Sequence, residues 1–366
     1  MISDKRFYGD FDKTLFVSML MVIAIGLLTI HSATQAKGLS PNESYLFKQA
    51  GWVGISLALF LACVCVSYQR FIDLSYLFYC INILLLVFVL FLGHIRLGAQ
   101  RWFSIGNFTF QPSEFIKLNL ILVLASFVGS KKGSMRGFGG FVMPALLLAV
   151  PFVLVLIQPD LGTALMLLPI FFAILLVAGA DIKYLAGTIL AGLACMPFFW
   201  HFLRDYQKQR LLVFLNPNID PLGAGYTIIQ SKIAVGSGGI FGKGWLAGTQ
   251  NQLNFLPERH TDFIFSVIGE EWGLLGALVL ILLYFLIVKK AFNIAALTSD
   301  MYGKAIATGI AVMMGLQVII NIGMTLGLMP VVGIPLPLVS YGGSNLIMTV
   351  IAVGLLINIK MRHSTF

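Results

Sequence analysis

The apolar residues of this chain gather into ten runs, most of them about 17–21 residues long, and nearly all the gaps between them are short. A helix of that length spans the hydrocarbon core of a bilayer, about 30 Å thick. Hydrophobic residues make up 58% of the 366 and charged residues only 11%. A soluble domain needs roughly a quarter of its residues charged to stay solvated. The chain therefore reads as an all-α, polytopic integral membrane protein forming a single membrane domain over 1–366. Helices are expected near 14–33, 47–67, 74–93, 114–129, 140–157, 161–179, 184–203, 272–288, 304–327 and 343–359. Pro144, Pro151, Pro169 and Pro197 fall inside these runs, which membrane helices tolerate. The first run exceeds the apolar region of a signal peptide and follows a mixed-charge segment, so it reads as a retained helix.

A net charge of +9 raises the question of nucleic acid, but the basic residues lie in the gaps between runs and form no stripe. A membrane protein handling anionic lipid, with no nucleic-acid partner, fits that placement better. Cys63, Cys65, Cys80 and Cys195 all sit in apolar runs without metal or disulfide spacing. With the N-terminus cytoplasmic, the inner segments carry Lys5, Arg6, Lys13, Arg70, Lys131, Lys132, Arg136, Lys183, Lys289, Lys290, Lys304, Lys360 and Arg362. The short outer loops then carry only Lys37, Lys48, Arg96 and Arg101. That excess predicts both termini inside. The long connection at about 204–271, between the seventh and eighth helices, then lies outside. Its turn signals and glycine clusters predict an ordered cap.

Charged residues at membrane boundaries are costly, which makes each a candidate for function. Asp262, in Leu256-Pro257-Glu258-Arg259-His260-Thr261-Asp262-Phe263, immediately precedes an apolar stretch. Low dielectric there would raise its pKa into the range useful to a general base, but an aspartate so placed also suits a helix N-cap. Arg259 and His260 are either phosphate contacts or solvated side chains. Gln111-Pro112-Ser113-Glu114-Phe115-Ile116-Lys117 opens the fourth helix; Ser113 or Glu114 is placed to cap it. Lys117 stands one turn in and three residues from Glu114, the spacing of an ion pair on one face. Gln158-Pro159-Asp160 opens the sixth helix in the same way, with Asp160 as a cap; such helix starts attract anions. Gly236 to Gly244 fails the phosphate-loop pattern and is read as turn glycines or a lipid-pyrophosphate contact. Pro330 to Ser344, rich in proline and glycine, reads as a re-entrant or interfacial segment.

Five motifs in order, Gly98 to Trp102, Gln111 to Lys117, Gln158 to Thr163, Leu256 to Phe265 and Pro330 to Gly343, resemble the hallmarks of the SEDS family (shape, elongation, division and sporulation). Gln230 to Gly239 and Leu256 to Asp262 look like its elongation branch, RodA, more than its division branch, FtsW. The resemblance implies a peptidoglycan glycosyltransferase. Such an enzyme polymerises lipid II into glycan strands on the outer face of the bacterial cytoplasmic (inner) membrane, releasing undecaprenyl pyrophosphate. It also implies partnership with a class B penicillin-binding protein, the transpeptidase, and with other membrane proteins of the elongation complex. Position by position, Asp262 matches the family's essential aspartate. Arg101, Glu114, Lys117, Asp160 and Ser340 match other motif positions.

Inverting transfer of a sugar from a lipid pyrophosphate needs a base for the acceptor hydroxyl, cations for the leaving group and an apolar slot for lipid tails. Asp262 is the expected base. Arg101, Lys117, Arg210, Lys232, Lys243 and Arg259 are the available outer-face cations. A divalent cation, Mg or Mn, is expected to help, with Glu114 or Asp160 as its holder, and no organic cofactor is expected. The rival readings are a lipid II flippase, a non-catalytic scaffold, and the cell-division role within the same family.

Overall fold

The computed structural model describes residues 11–35, 44–96, 99–105, 108–131, 135, 137–221 and 223–362. Lys5, Arg6, Lys37, Gly98, Lys132 and Arg136, used above for topology or motifs, lie outside the described residues.

Long helices stand at all ten apolar runs. In chain order, α1 (Lys13–Gln35) and α2 (Tyr45–Cys65) lead through a short α3 (Tyr68–Asp73) to α4 (Ser75–Leu92). Then come α5 (Pro112–Ser130), α6 (Phe138–Ile157), α7 (Leu161–Val177) and α8 (Ile182–Phe202). The long connection folds as α9 (Asp205–Leu215), a 3-10 turn (Pro217–Ile219), α10 (Ala224–Ser237), α11 (Thr249–Gln252) and α12 (Ile264–Glu271). The chain continues through α13 (Gly273–Leu297), α14 (Met301–Thr325) and α15 (Gly343–Arg362). Eight of these helices are long and apolar enough to cross a membrane, while α7 and the apolar part of α8, Ile182–Phe198, are shorter. This is a multi-pass membrane architecture. All four prolines named above stay inside their helices.

Two features depart from the pattern of runs. Helix α13 continues to Leu297, past the expected end near 288, and takes Lys289 and Lys290 with it. The segment after them, Ala291 to Leu297, is apolar again, and lysine stems can lie along a helix while their ammonium groups reach polar surroundings. Between α4 and α5 the chain also forms an antiparallel sheet of β1 (His94–Arg96), β2 (Ala99–Ile105) and β3 (Phe108–Phe110). Its register pairs His94 with Trp102 and Phe103 with Phe110. Strands this short carry too little alternation to be read against long apolar runs.

Helices α5, α14 and α15 form the centre. Between 67 and 83% of their apolar windows is buried, against 22–44% for the other long spans. At one end of the bundle Asp12 accepts from Leu15 N–H (3.0 Å) and meets Lys290 (3.3 Å) and Lys360 (2.7 Å). The two described ends of the chain thus lie together. At the other end the cap rests on the last turn of α1, where Arg259 Nε donates to the Ala33 carbonyl (2.7 Å).

Residues 330–342 are non-helical yet lodged in protein, with Leu336, Leu338 and Val339 buried. A Cβ on Gly26, well inside α1, would fall 2.8 Å from Val339 Cα, so only glycine lets this backbone in. Tyr284, on the fourth turn of α13, donates its hydroxyl to the Pro337 carbonyl. The expected re-entrant segment is therefore enclosed by helices, the condition under which irregular backbone survives at membrane depth.

Candidate active site

Asp262 lies on the bend that leads into α12. It caps nothing: Phe263 is the N-cap residue of α12 and makes no side-chain capping bond. The bend is held through its backbone, with Thr261 O accepting from Ser340 Oγ (2.6 Å) and Asp262 O from Asn321 Nδ2 (3.0 Å). Gly333, at a φ of 73°, lies beside the carboxylate; a Cβ there would stand 3.5 Å from Oδ2. Burial pushes the Asp262 pKa up to about 6. Glu258 and Asp160 add to the rise, and Arg210 and Arg101 oppose it. A half-buried carboxylate of that pKa is mostly ionised at neutral pH and basic enough to take a proton from a hydroxyl.

The arginines are held by carbonyls. Arg101 donates from Nε to Gln158 O (2.8 Å) and from Nη2 to Pro159 O, and its Nη1 lies 3.7 Å from Asp160 Oδ1. Arg210 donates to Val331 O (3.2 Å) and lies 5.7 Å from the centre of the Tyr206 ring, whose hydroxyl donates to Pro159 O (3.1 Å). Arg101, Tyr206 and Arg210 share a small cleft with Pro330 to Val332. Asp160 caps α7 through Thr163 N–H (3.2 Å), as its position predicted, and accepts from Thr163 Oγ1 (3.0 Å) and Ser113 Oγ (3.3 Å). Lys117 and Glu114 pair at 3.0 Å, both buried, at the spacing expected of them.

The remaining cations stand elsewhere. Lys243 pairs with Glu270 (2.8 Å), which also accepts from Gln250 N–H (3.0 Å) and Asn251 N–H (3.3 Å), so it pins the glycine-rich turn to α12. Arg259 is buried against α1, and its Nη2 has no hydrogen-bond partner among the described residues. Lys232 is exposed and packs its stem over Gly327 at the end of α14. Ser340 accepts from Leu336 N–H (2.8 Å) while donating to Thr261, which makes it a brace for the bend. For a divalent cation, no three metal-ligating side chains gather among the described residues. Glu114 is taken by Lys117, and Asp160 by Arg101, Ser113 and Thr163.

Residues 12–365 match the FtsW/RodA/SpoVE family, described as cell cycle proteins. The chain belongs to that family. Among its relatives in the family, the peptidoglycan glycosyltransferase MrdB of Escherichia coli K12 is 40% identical, over 96% of this chain and 94% of its own length. The peptidoglycan glycosyltransferase RodA of Treponema pallidum is 34% identical, over 98% of this chain and 99% of its own. Two solved structures superpose along nearly the whole length. One is a chain of a peptidoglycan synthase complex in which polymerisation and crosslinking are coordinated (TM-score 0.82, 36% identity, 97% of this chain and 99% of that one). The other is the rod shape determining protein RodA of Thermus thermophilus (TM-score 0.72, 32% identity, 96% and 97%).

Tyr206 and Asn321 escaped the sequence reading. Asn321 left a faint signal, an amide within an apolar run, where polar side chains commonly bond between helices. Tyr206 left none, because its partners Pro159 and Arg210 come from different segments.

Proposed function

We propose that this chain is an elongation-type peptidoglycan glycosyltransferase that polymerises lipid II, with Asp262 as the base that activates the acceptor hydroxyl. The observation that carries the reading is the Asp262 carboxylate itself. Its pKa is about 6, and it makes no hydrogen bond to any described residue, yet it lies in the field of Arg101 and Arg210. A base left free of hydrogen bonds can meet a substrate hydroxyl. Two arginines nearby supply positive charge for a departing pyrophosphate. Protonation of the carboxylate accompanies attack on the anomeric carbon, and the pyrophosphate leaves with the electron pair of the broken glycosyl bond.

An apolar crevice of about 400 Å³ between α2, α4, α5 and α15 runs from Val66 and Phe71 to Phe110 and Phe115, beside the motif that opens α5. Its chemistry suits a polyprenyl tail. The donor set at Glu114 and Asp160 does not fit Mg or Mn, since both carboxylates are already engaged. In this reading the cap and Asp262 face the outside of the cytoplasmic (inner) membrane and both termini face the cytoplasm, in line with the charge count. A class B penicillin-binding protein and other elongation-complex membrane proteins are the proposed partners, and undecaprenyl-linked glycan is the product. Purified protein given lipid II should build polymer, and Asp262→Asn should build almost none. Near-wild-type polymer from that variant would overturn the base assignment, and lipid II movement without polymer would favour a flippase. Cysteine labelling from outside should reach position 218 and spare position 362.

A further inference from the structure

Three consecutive carbonyls at the bend are each caught by a different donor. Tyr341 N–H bonds His260 O (2.9 Å), Ser340 Oγ bonds Thr261 O (2.6 Å), and Asn321 Nδ2 bonds Asp262 O (3.0 Å). The first two donors belong to the end of the re-entrant segment. The third comes from α14, and the same nitrogen also bonds Ile334 O (2.8 Å). An amide nitrogen has two hydrogens, one for each carbonyl. Asn321 is fully buried, and its Oδ1 finds no partner among the described residues. A buried acceptor left unpaired carries a desolvation cost that an apolar residue of the same volume would avoid. Packing alone therefore does not account for an asparagine here.

What the amide alone supplies is a joint. Ile334 follows Gly333, the residue whose missing side chain leaves room beside Asp262 Oδ2. One nitrogen thus fixes both walls of the space in which the carboxylate must meet its substrate. We propose that Asn321 is a positioning residue for Asp262, clamping the bend and the re-entrant segment at one distance so that the base points into that gap. The clamp touches backbone only; the carboxylate itself is left free. The inference rests on Asp262 being the base.

The test compares Asn321→Leu, which removes both bonds at similar volume, with Asn321→Gln, which keeps the donor, in the full chain assayed with lipid II. A misplacement of about 1 Å costs on the order of 10²-fold in rate. For the Leu variant, kcat per folded molecule should fall about 10–100-fold with KM inside about threefold. Amide hydrogen exchange should rise in 258–263 and 331–336 and stay unchanged in α5. The Gln variant should recover part of the lost kcat. Wild-type kcat per folded molecule in the Leu variant, or a Gln variant no better than Leu, would overturn the clamp. If the Leu variant does not accumulate, Asn321→Ser, too short to reach both carbonyls, must show the same drop in kcat. Asp262→Asn, run in parallel, separates the two ideas. Activity in that variant sinks the base assignment, while its inactivity beside a wild-type-like Asn321→Leu variant sinks only the clamp.

Discussion

Asp12 and Asp262 lie at opposite ends of the bundle, and their surroundings treat the same side chain in opposite ways. Burial alone works against both carboxylates. At Asp12, Lys360, the Leu15 amide and Lys290 outweigh it and hold the pKa below its ordinary value. At Asp262 no hydrogen bond offsets it, and the pKa climbs to about 6. A carboxylate saturated with donors ties helices together and is chemically spent. One denied them keeps its basicity at a cost in stability, the usual exchange at a catalytic position. On the proposed reading, the difference separates a scaffold end of the molecule from its working end.

The sharpest way to break this contrast is to make the same substitution at both ends. Asp262→Asn should lower the polymerisation rate about 10²–10⁴-fold, the range of a general-base contribution, whereas Asp12→Asn should leave kcat per folded molecule within about threefold. Comparable losses at both positions would erase the distinction.

Next in size is Lys117→Ala. Leaving Glu114 alone and buried costs about 3–5 kcal/mol, so both thermal stability and activity should drop. Full activity and unchanged stability in the Lys117→Ala variant would show that the pair carries nothing.

The pH dependence of the two ends should run in opposite senses. The Asp262 pKa is raised from 3.8 to about 6, so its share of stability is fully present below about pH 4 and is lost as pH rises through 6. Asp262→Asn should therefore be more stable than wild type at pH 7.5, by roughly 2 kcal/mol after allowing for partial exposure, and equal to it near pH 4. Polymerisation should rise with pH across an acid limb near 6. A limb below pH 5, with no stabilisation of the variant, would contradict the raised pKa.

The smallest effect belongs to Asp12. Its pKa is lowered, so its contribution is present above about pH 4 and is lost as pH falls through the folded value. Asp12→Asn should lower the melting temperature at pH 7 and leave it unchanged in strong acid, read as the gap between melting curves.

Local pattern carried much of the architecture. Ten helices, the Asp160 cap and the Lys117–Glu114 pair follow from run length and from spacings of three residues, signals that lie within one or two turns. The rest depends on contacts between distant segments. Asn321 reaches back 59 positions to Asp262 and Ser340 reaches 79 to Thr261, and neither bond leaves a trace in hydropathy. Arg259 looked like an available cation for the same reason, since only the fold reveals the Ala33 carbonyl it serves. The small sheet was missed because its strands are too brief for alternation to register.

The re-entrant segment also sets an order of events during synthesis. Its seat is built from Gly26 on α1, Tyr284 on α13 and the 260–262 bend, all made earlier in the chain. Behind it the chain runs directly into α15, whose Ser344 hydroxyl accepts from Gln111 N–H and anchors that end. The bend around Asp262 is therefore fully braced only by residues made after it, Asn321, Ser340 and Tyr341. A chain made only as far as α14 would lack the Ser340 and Tyr341 donors at the bend, so the proposed base would stand unbraced until the segment behind it is made.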